Sequence, residues 1–276
     1  MPNEKICKRT RLDRKFDKLL AAEEAGKLGH SKLSRSLRKM LENRMAVIGF
    51  VVFLIIVIMC VFAPLFTPYK PQATDLRSMT QPPSLQHLFG TDKLGCDVFT
   101  RVLYGGRKSI LIGLGSALGA AVIGVLLGCY GGYKGGTFDK IVLRLSEIFM
   151  SFPQLILVMM LGTIFGRGLS NLIFIFILTG WGGVYRQVRA KMLSLREEEY
   201  VQAMRAFGVN DLIIAYKHML PNAIGPVVVN LTLSTAMFIL DEAAMSFLGL
   251  GVPPEIATWG NILNAAQELY VMQNYW

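Results

Sequence analysis

Apolar residues fall along this chain in long blocks, with polar residues gathered between them rather than alternating with them. The first block, residues 45–66, carries no charge after its opening methionine. About 20 such residues cross roughly 30 Å of hydrocarbon at about 1.5 Å per helical residue. Four further blocks follow at 110–130, 141–165, 169–185 and 224–248. The pattern predicts an all-α, polytopic transmembrane helical bundle with five spans. Residues 45–66 read as an uncleaved anchor, because a long basic leader precedes them and no small-x-small cleavage site follows.

The second block is laced with glycine. Gly115 with Gly119, and Gly124 with Gly128, each place two small residues on one helix face. Such a face lets neighbouring backbones approach closely in lipid; equally, glycine is simply common in membrane helices.

Composition agrees with the pattern. The chain is 53% hydrophobic and 17% charged, whereas soluble domains carry about 25% charged residues. An ordinary soluble enzyme is excluded. The net charge is +10, and residues 1–45 hold thirteen Lys/Arg against six Asp/Glu, seven of those ten charges. The basicity therefore belongs to an N-terminal segment and not to a nucleic-acid-binding surface.

Clustered Lys/Arg before the first span place the N-terminus in the cytoplasm. Alternation then puts 67–109 outside, 131–140 inside, 166–168 outside, 186–223 inside and 249–276 outside. Arg186, Arg189, Lys191, Arg196, Arg205 and Lys217 agree with an inside location, while Arg101, Arg107 and Lys108 run against the outer one. Leu33, Leu37, Met40 and Leu41, at helical spacing among basic residues, suit either an interfacial helix on anionic lipid or a solvated cytoplasmic one. The chain thus divides into a basic cytoplasmic segment 1–44, an anchor 45–66, an extracytoplasmic loop 67–108 and a core transmembrane domain 109–276.

Candidate chemistry is sparse. Cys7, Cys60, Cys96 and Cys129 form no CxxC pair, and His30, His87 and His218 are scattered. The stretch Gly105-Gly106-Arg107-Lys108-Ser109 lacks the glycine spacing of a phosphate-binding loop. No nucleophile motif is present. No catalysis, metal or cofactor is expected of this chain.

Residues 196–222 are the most informative. Tyr200, Ala203, Met204 and Phe207 fall at i, i+3, i+4 and i+7, predicting one apolar helical face. Glu197–Glu199 suit the positive end of that helix. Gly208 then breaks it, and Asn210 or Asp211 caps a second helix. In that helix Leu212, Ile213, Tyr216 and Leu220 form another stripe, and Pro221 is expected to end it before the last span. Such a hairpin, with apolar knobs and no ligand chemistry, reads as a docking element or as a loop folded back on its own bundle. Within the spans, Arg144 and Glu147 are i,i+3 neighbours, suited to pairing or to snorkelling of the arginine. Asp241 and Glu242, late in the fifth span, suit either a pathway or gate, or a hydrogen-bonded helix contact.

The spacing A-x4-G-x11-L-P from Ala203 through Gly208 to Leu220-Pro221 resembles the EAA loop of ABC-transporter permeases. Y-V-x-A-x-R-A-x-G at 200–208 and H-x-L-P-N at 218–222 resemble the dipeptide/oligopeptide/nickel permease family, and its C-type subunit. So do F-G-T-D-x-L-G-x-D at 89–97, S-F-L-G-L-G at 246–251, Phe152-Pro153 and Trp259-Gly260-Asn261. The chain departs from the pattern at Gln202 and Met204, where the loop usually has Glu and Ala, and at Cys96, which stands where an arginine is usual. The family also ends with a sixth span and a cytoplasmic tail, so the chain reads as truncated after Trp276.

The resemblance implies a type I ABC importer permease, forming half of a pore with a second homologous permease. Two cytoplasmic ATP-binding subunits and an extracytoplasmic substrate-binding protein complete the assembly in the cell inner membrane. Tyr200, Gln202, Ala203, Met204, Phe207, Gly208, Leu220 and Pro221 would couple to the ATPase. Peptides are the expected cargo; nickel, glutathione-like and opine-like solutes stay open. A secondary transporter would typically show two similar halves, and a channel a filter-like loop. Neither feature is visible in the sequence.

Overall fold

The computed structural model describes residues 43–267, which place the amphipathic pattern at 33–41 outside the described residues. The chain divides into two compact units at 56/57. In the first unit Asn43 caps helix α1 (Arg44–Val61), its side-chain oxygen accepting from Met45 N at 3.1 Å and Ala46 N at 3.3 Å. From Met45 to Ile56 nearly every side chain of α1 is exposed and apolar, as a lipid-facing rod requires.

The second unit takes in the end of α1 from Val57 and then a short helix α2 (Ala63–Phe66), with Pro64 in its first turn. An irregular segment leads to α3 (Val98–Lys134), which at 37 residues is far longer than the apolar block inside it. The extra length comes from a cap: the Asp97 carboxylate accepts from Thr100 N at 2.7 Å and Thr100 Oγ1 at 2.6 Å, so helix begins well before the hydropathy rises. His87 Nδ1 lies 3.0 Å from the other oxygen of Asp97. Asp92 binds Leu94 N and Cys96 N through one oxygen and Arg101 Nη1, at 2.7 Å, through the other. The motif at 89–97 is therefore a self-bonded knot at the head of α3. Cys96 is buried in it, and burial pushes its thiol above the ordinary range.

The predicted span 141–165 is not one helix. Helices α4 (Gly136–Met150) and α5 (Gln154–Phe165) meet at 93°. Pro153 is the cause: a proline disfavours the α region for the residue before it, and Pro153 itself adopts an extended ψ of 124°. Helix α6 (Leu169–Arg196) runs eleven residues past the predicted end at 185. Among the described residues four helices are long and apolar enough to cross a membrane, and the bent pair supplies a fifth span if it counts as one.

α3 and α6 form the central pair. A Cβ at Gly124 would lie 2.8 Å from Trp181 O, at Gly128 2.7 Å from Tyr185 O, and at Gly132 2.8 Å from Arg189 O. Backbone thus meets backbone along one glycine face, and the close-approach reading holds there. It fails at Gly115, where a Cβ would meet nothing within 4 Å.

The last span also differs from expectation. Pro221 does not end the second loop helix. A short α8 (Asp211–Ile213), a π-helical segment (Ile214–Met219) and α9 (Leu220–Phe247) follow without a break. The wider π turn leaves room for the proline ring, and in the first turn of α9 its missing N–H is no loss. After α9 the chain turns back through α10 (Trp259–Ala265). Gly260 lies against Ala243 and Ser246, and Asn261 Nδ2 donates to the carbonyls of Val252, Pro253 and Ile256.

Candidate functional site

Residues 196–222 fold as the predicted hairpin, with a different division of faces. Helix α7 (Glu199–Ala206) ends at Phe207, and Gly208 takes φ +73°, the left-handed turn that glycine tolerates best. Asn210 then caps α8 through its side-chain oxygen on Leu212 N at 2.9 Å. The inward side is Val201, Ile214, Ala215 and Met219, all fully buried against Cys129 and Tyr133 of α3 and Val188, Met192 and Leu195 of α6. Met204 packs partly against this core, so the single face expected from Tyr200, Ala203, Met204 and Phe207 divides. Tyr200, Gln202, Ala203 and Gly208 are exposed, Tyr200 narrowly so, and Phe207 at the turn is 88% exposed. Leu212 and Ile213 are exposed beyond the turn, Leu220 is half-buried and Pro221 exposed.

Sequence spacing missed the polar groups that seat this hairpin. Tyr133 Oη, from the last turn of α3, donates to Asp211 Oδ1 at 2.7 Å and accepts from Arg205 Nε at 3.1 Å. The Arg205 guanidinium also stands 4.7 Å from the Tyr133 ring centroid. Tyr216 Oη donates to Leu126 O at 2.9 Å, and Cys129 Sγ to Ala215 O at 3.4 Å. Beneath the hairpin, Asp139 of α4 is buried against Arg189 and Tyr185 of α6. The signal available in sequence was a buried-type charge at the head of an apolar block, with no spacing rule to name its partner.

The other acidic pair lies on α9. Glu242 is 0% exposed; its Oε2 accepts from Ser109 Oγ and its Oε1 from Ser246 Oγ, each at 2.9 Å. Ser109 Oγ in turn accepts from Trp259 N at 3.2 Å. Glu242 thus ties α3, α9 and α10 together with both oxygens engaged. Asp241 is half-buried and accepts from Gln154 Nε2 at 3.1 Å, the first residue of α5 after the 93° break. Arg144 and Glu147 pair at 2.9 Å on an exposed face. Among the described residues no three His, Cys, Asp or Glu converge as a metal site.

Comparison with known proteins places the chain in a family. Residues 120–273 match the family described as binding-protein-dependent transport system inner membrane component, and residues 31–83 match the N-terminal TM domain of oligopeptide transport permease C. The oligopeptide transport system permease protein OppC of Bacillus subtilis is 37% identical over 87% of this chain and 79% of its own length. A putative peptide permease protein of Brucella suis is 40% identical over 88% of this chain and 80% of its own. The dipeptide transport system permease protein DppC of Bacillus subtilis is 37% identical over 87% of this chain and 75% of its own.

Proposed function

This chain belongs to the binding-protein-dependent transport inner membrane components and is a membrane permease component of an ABC importer; from that premise we propose that it carries peptides and is driven through the 196–222 hairpin. It forms half of a translocation pore with a second homologous permease. Of two ATP-binding subunits, one docks on the hairpin from the cytoplasm, where the N-terminus also lies, and an extracytoplasmic binding protein delivers the peptide. Tyr200, Gln202, Ala203, Met204, Phe207, Gly208, Leu220 and Pro221 make up the coupling element, with Leu212 and Ile213 added to its outer face. Asp241 and Glu242 act at the pathway or gate, Asp241 through the α5 break and Glu242 through α3.

One observation carries this reading. Phe207, a large aromatic side chain, stands 88% exposed at the tip of a hairpin whose other face is sealed into its own core. An apolar patch of that kind, seated on a buried core, suits a protein partner. The magnitudes are of the right order. Reversing a conformational ratio from about 1:99 to 99:1 requires about 5.5 kcal/mol. Covering a fully exposed large apolar side chain contributes roughly 1.5–3 kcal/mol. Phe207 is close to that limit, while Tyr200, Leu212 and Ile213 are already partly buried and add correspondingly less. The four together supply an energy comparable to the requirement, and the rest of the interface offsets the entropy of association.

The test is Phe207→Asp in the assembled transporter. Membrane insertion should stay at the wild-type level while ATPase co-purification and uptake of a labelled tripeptide are both lost. Wild-type ATPase recovery would overturn the docking role.

A further inference from the structure

The geometry points to Tyr133 as a positioning residue that carries displacement of the Phe207 turn into helix α3, an inference that rests on the coupling role proposed above. Arg205 lies on the strand of chain entering the turn and Asp211 on the strand leaving it, with Phe207 and Gly208 between them. A single phenol oxygen bonds both, accepting from Arg205 and donating to Asp211. A hydroxyl can do both at once; a phenylalanine ring in the same place could do neither.

The bridge differs in kind from the apolar contacts beside it. Val201, Ile214 and Ala215 hold the hairpin by burial, which is non-directional and tolerates sliding. Hydrogen bonds to charged groups weaken steeply with angle and distance, so they fix direction. Next to the bridge the packing is open: a cavity of about 310 Å³ lies between Tyr130, Lys134, Asn210 and Leu212. Tyr216 to Leu126 and Cys129 to Ala215 also bond the hairpin to α3, but among the described residues only Tyr133 bonds both arms of the turn, and it does so with space alongside.

Tyr133 is also placed to pass the movement on. It is 4% exposed and one residue from the end of α3. The same helix carries Ser109, about 36 Å away by helical rise, where its hydroxyl bonds Glu242. Between the two, the glycine face of α3 is locked onto the α6 backbone. A rigid rod thus links the hairpin to the Ser109–Glu242–Ser246 cluster.

The experiment uses the complete complex, both permeases and both ATPases, in lipid nanodiscs. Two quantities are read: ATPase co-purified with the permease, and the change in amide hydrogen exchange across residues 98–113 when ATP and vanadate trap the ATPases. Tyr133→Phe should keep ATPase recovery while the vanadate-dependent exchange difference falls about tenfold. Asp211→Ala, which removes the acceptor, should do the same, and the double variant should fall no further than either single one. A full exchange difference in both single variants, with Phe207→Asp still losing ATPase, sinks the relay and leaves the docking role standing. ATPase recovery unchanged in Phe207→Asp sinks both. If Tyr133→Phe does not assemble, Asp211→Ala decides by the same outcomes, and failure of both to assemble makes the bridge a folding contact and overturns the proposal.

Discussion

Arg189 holds Asp139 by both ends of its guanidinium, Nε to Oδ1 at 2.6 Å and Nη2 to Oδ2 at 2.5 Å. The two residues come from α6 and α4, and Tyr185 Oη adds a third bond to Oδ1 at 2.8 Å. This two-pronged pairing, the strongest geometry for the two side chains, fixes the start of the broken α4–α5 pair against the central helix.

Removing only one partner of that pair should be costly. Arg189→Met leaves a buried carboxylate without its counter-charge, and breaking a buried pair in this way costs about 3–5 kcal/mol. The expected outcome is a marked fall in the thermal unfolding midpoint of the detergent-solubilised protein. Asp139→Asn combined with Arg189→Met should recover much of the loss. An unchanged midpoint in Arg189→Met would show that the pair is dispensable.

Glycines on α3 should separate sharply by position. At Gly128 a Cβ meets Tyr185 O at 2.7 Å, a backbone atom that cannot turn aside. Gly128→Val should therefore force α3 and α6 apart, at a cost of about 1–3 kcal/mol or more. At Gly115 a Cβ meets nothing within 4 Å, so Gly115→Ala should be neutral or stabilise by about 0.5–1 kcal/mol through helix propensity. Comparing melting midpoints of the two variants checks both statements, and equal effects would contradict them.

The two adjacent carboxylates on α9 should respond differently. Glu242→Ala removes both acceptors from Ser109 and Ser246 and leaves a cavity, costing about 2–4 kcal/mol. Asp241→Ala gives up one hydrogen bond from Gln154, at about 0.5–1.5 kcal/mol, yet should slow uptake of a labelled tripeptide severalfold if the α5 break gates the pathway. Wild-type uptake by a stably assembled Asp241→Ala complex would remove Asp241 from the gate.

Much of this molecule is written locally in its chain. The apolar blocks mark each membrane-crossing helix because hydrocarbon tolerates no other run of residues. Gly208 and Asn210 set the turn and the cap of the hairpin within three residues of each other. Where a boundary depends on one neighbour, as with these two, the sequence is sufficient.

Only the folded chain decided which side of each helix faces inward. Lipid and protein core are both apolar, so hydropathy cannot tell Phe176 of α6, which is buried, from Phe174, which is exposed. The same holds for glycines: Gly128 and Gly115 are alike in sequence and differ by what crosses them. Tyr133 with Arg205 and Asp211, or Asp139 with Arg189, are pairings between separate helices, fixed by packing rather than by spacing. The 93° turn at Pro153 lies between the two cases, since a proline announces a break but only its surroundings set where the chain goes next.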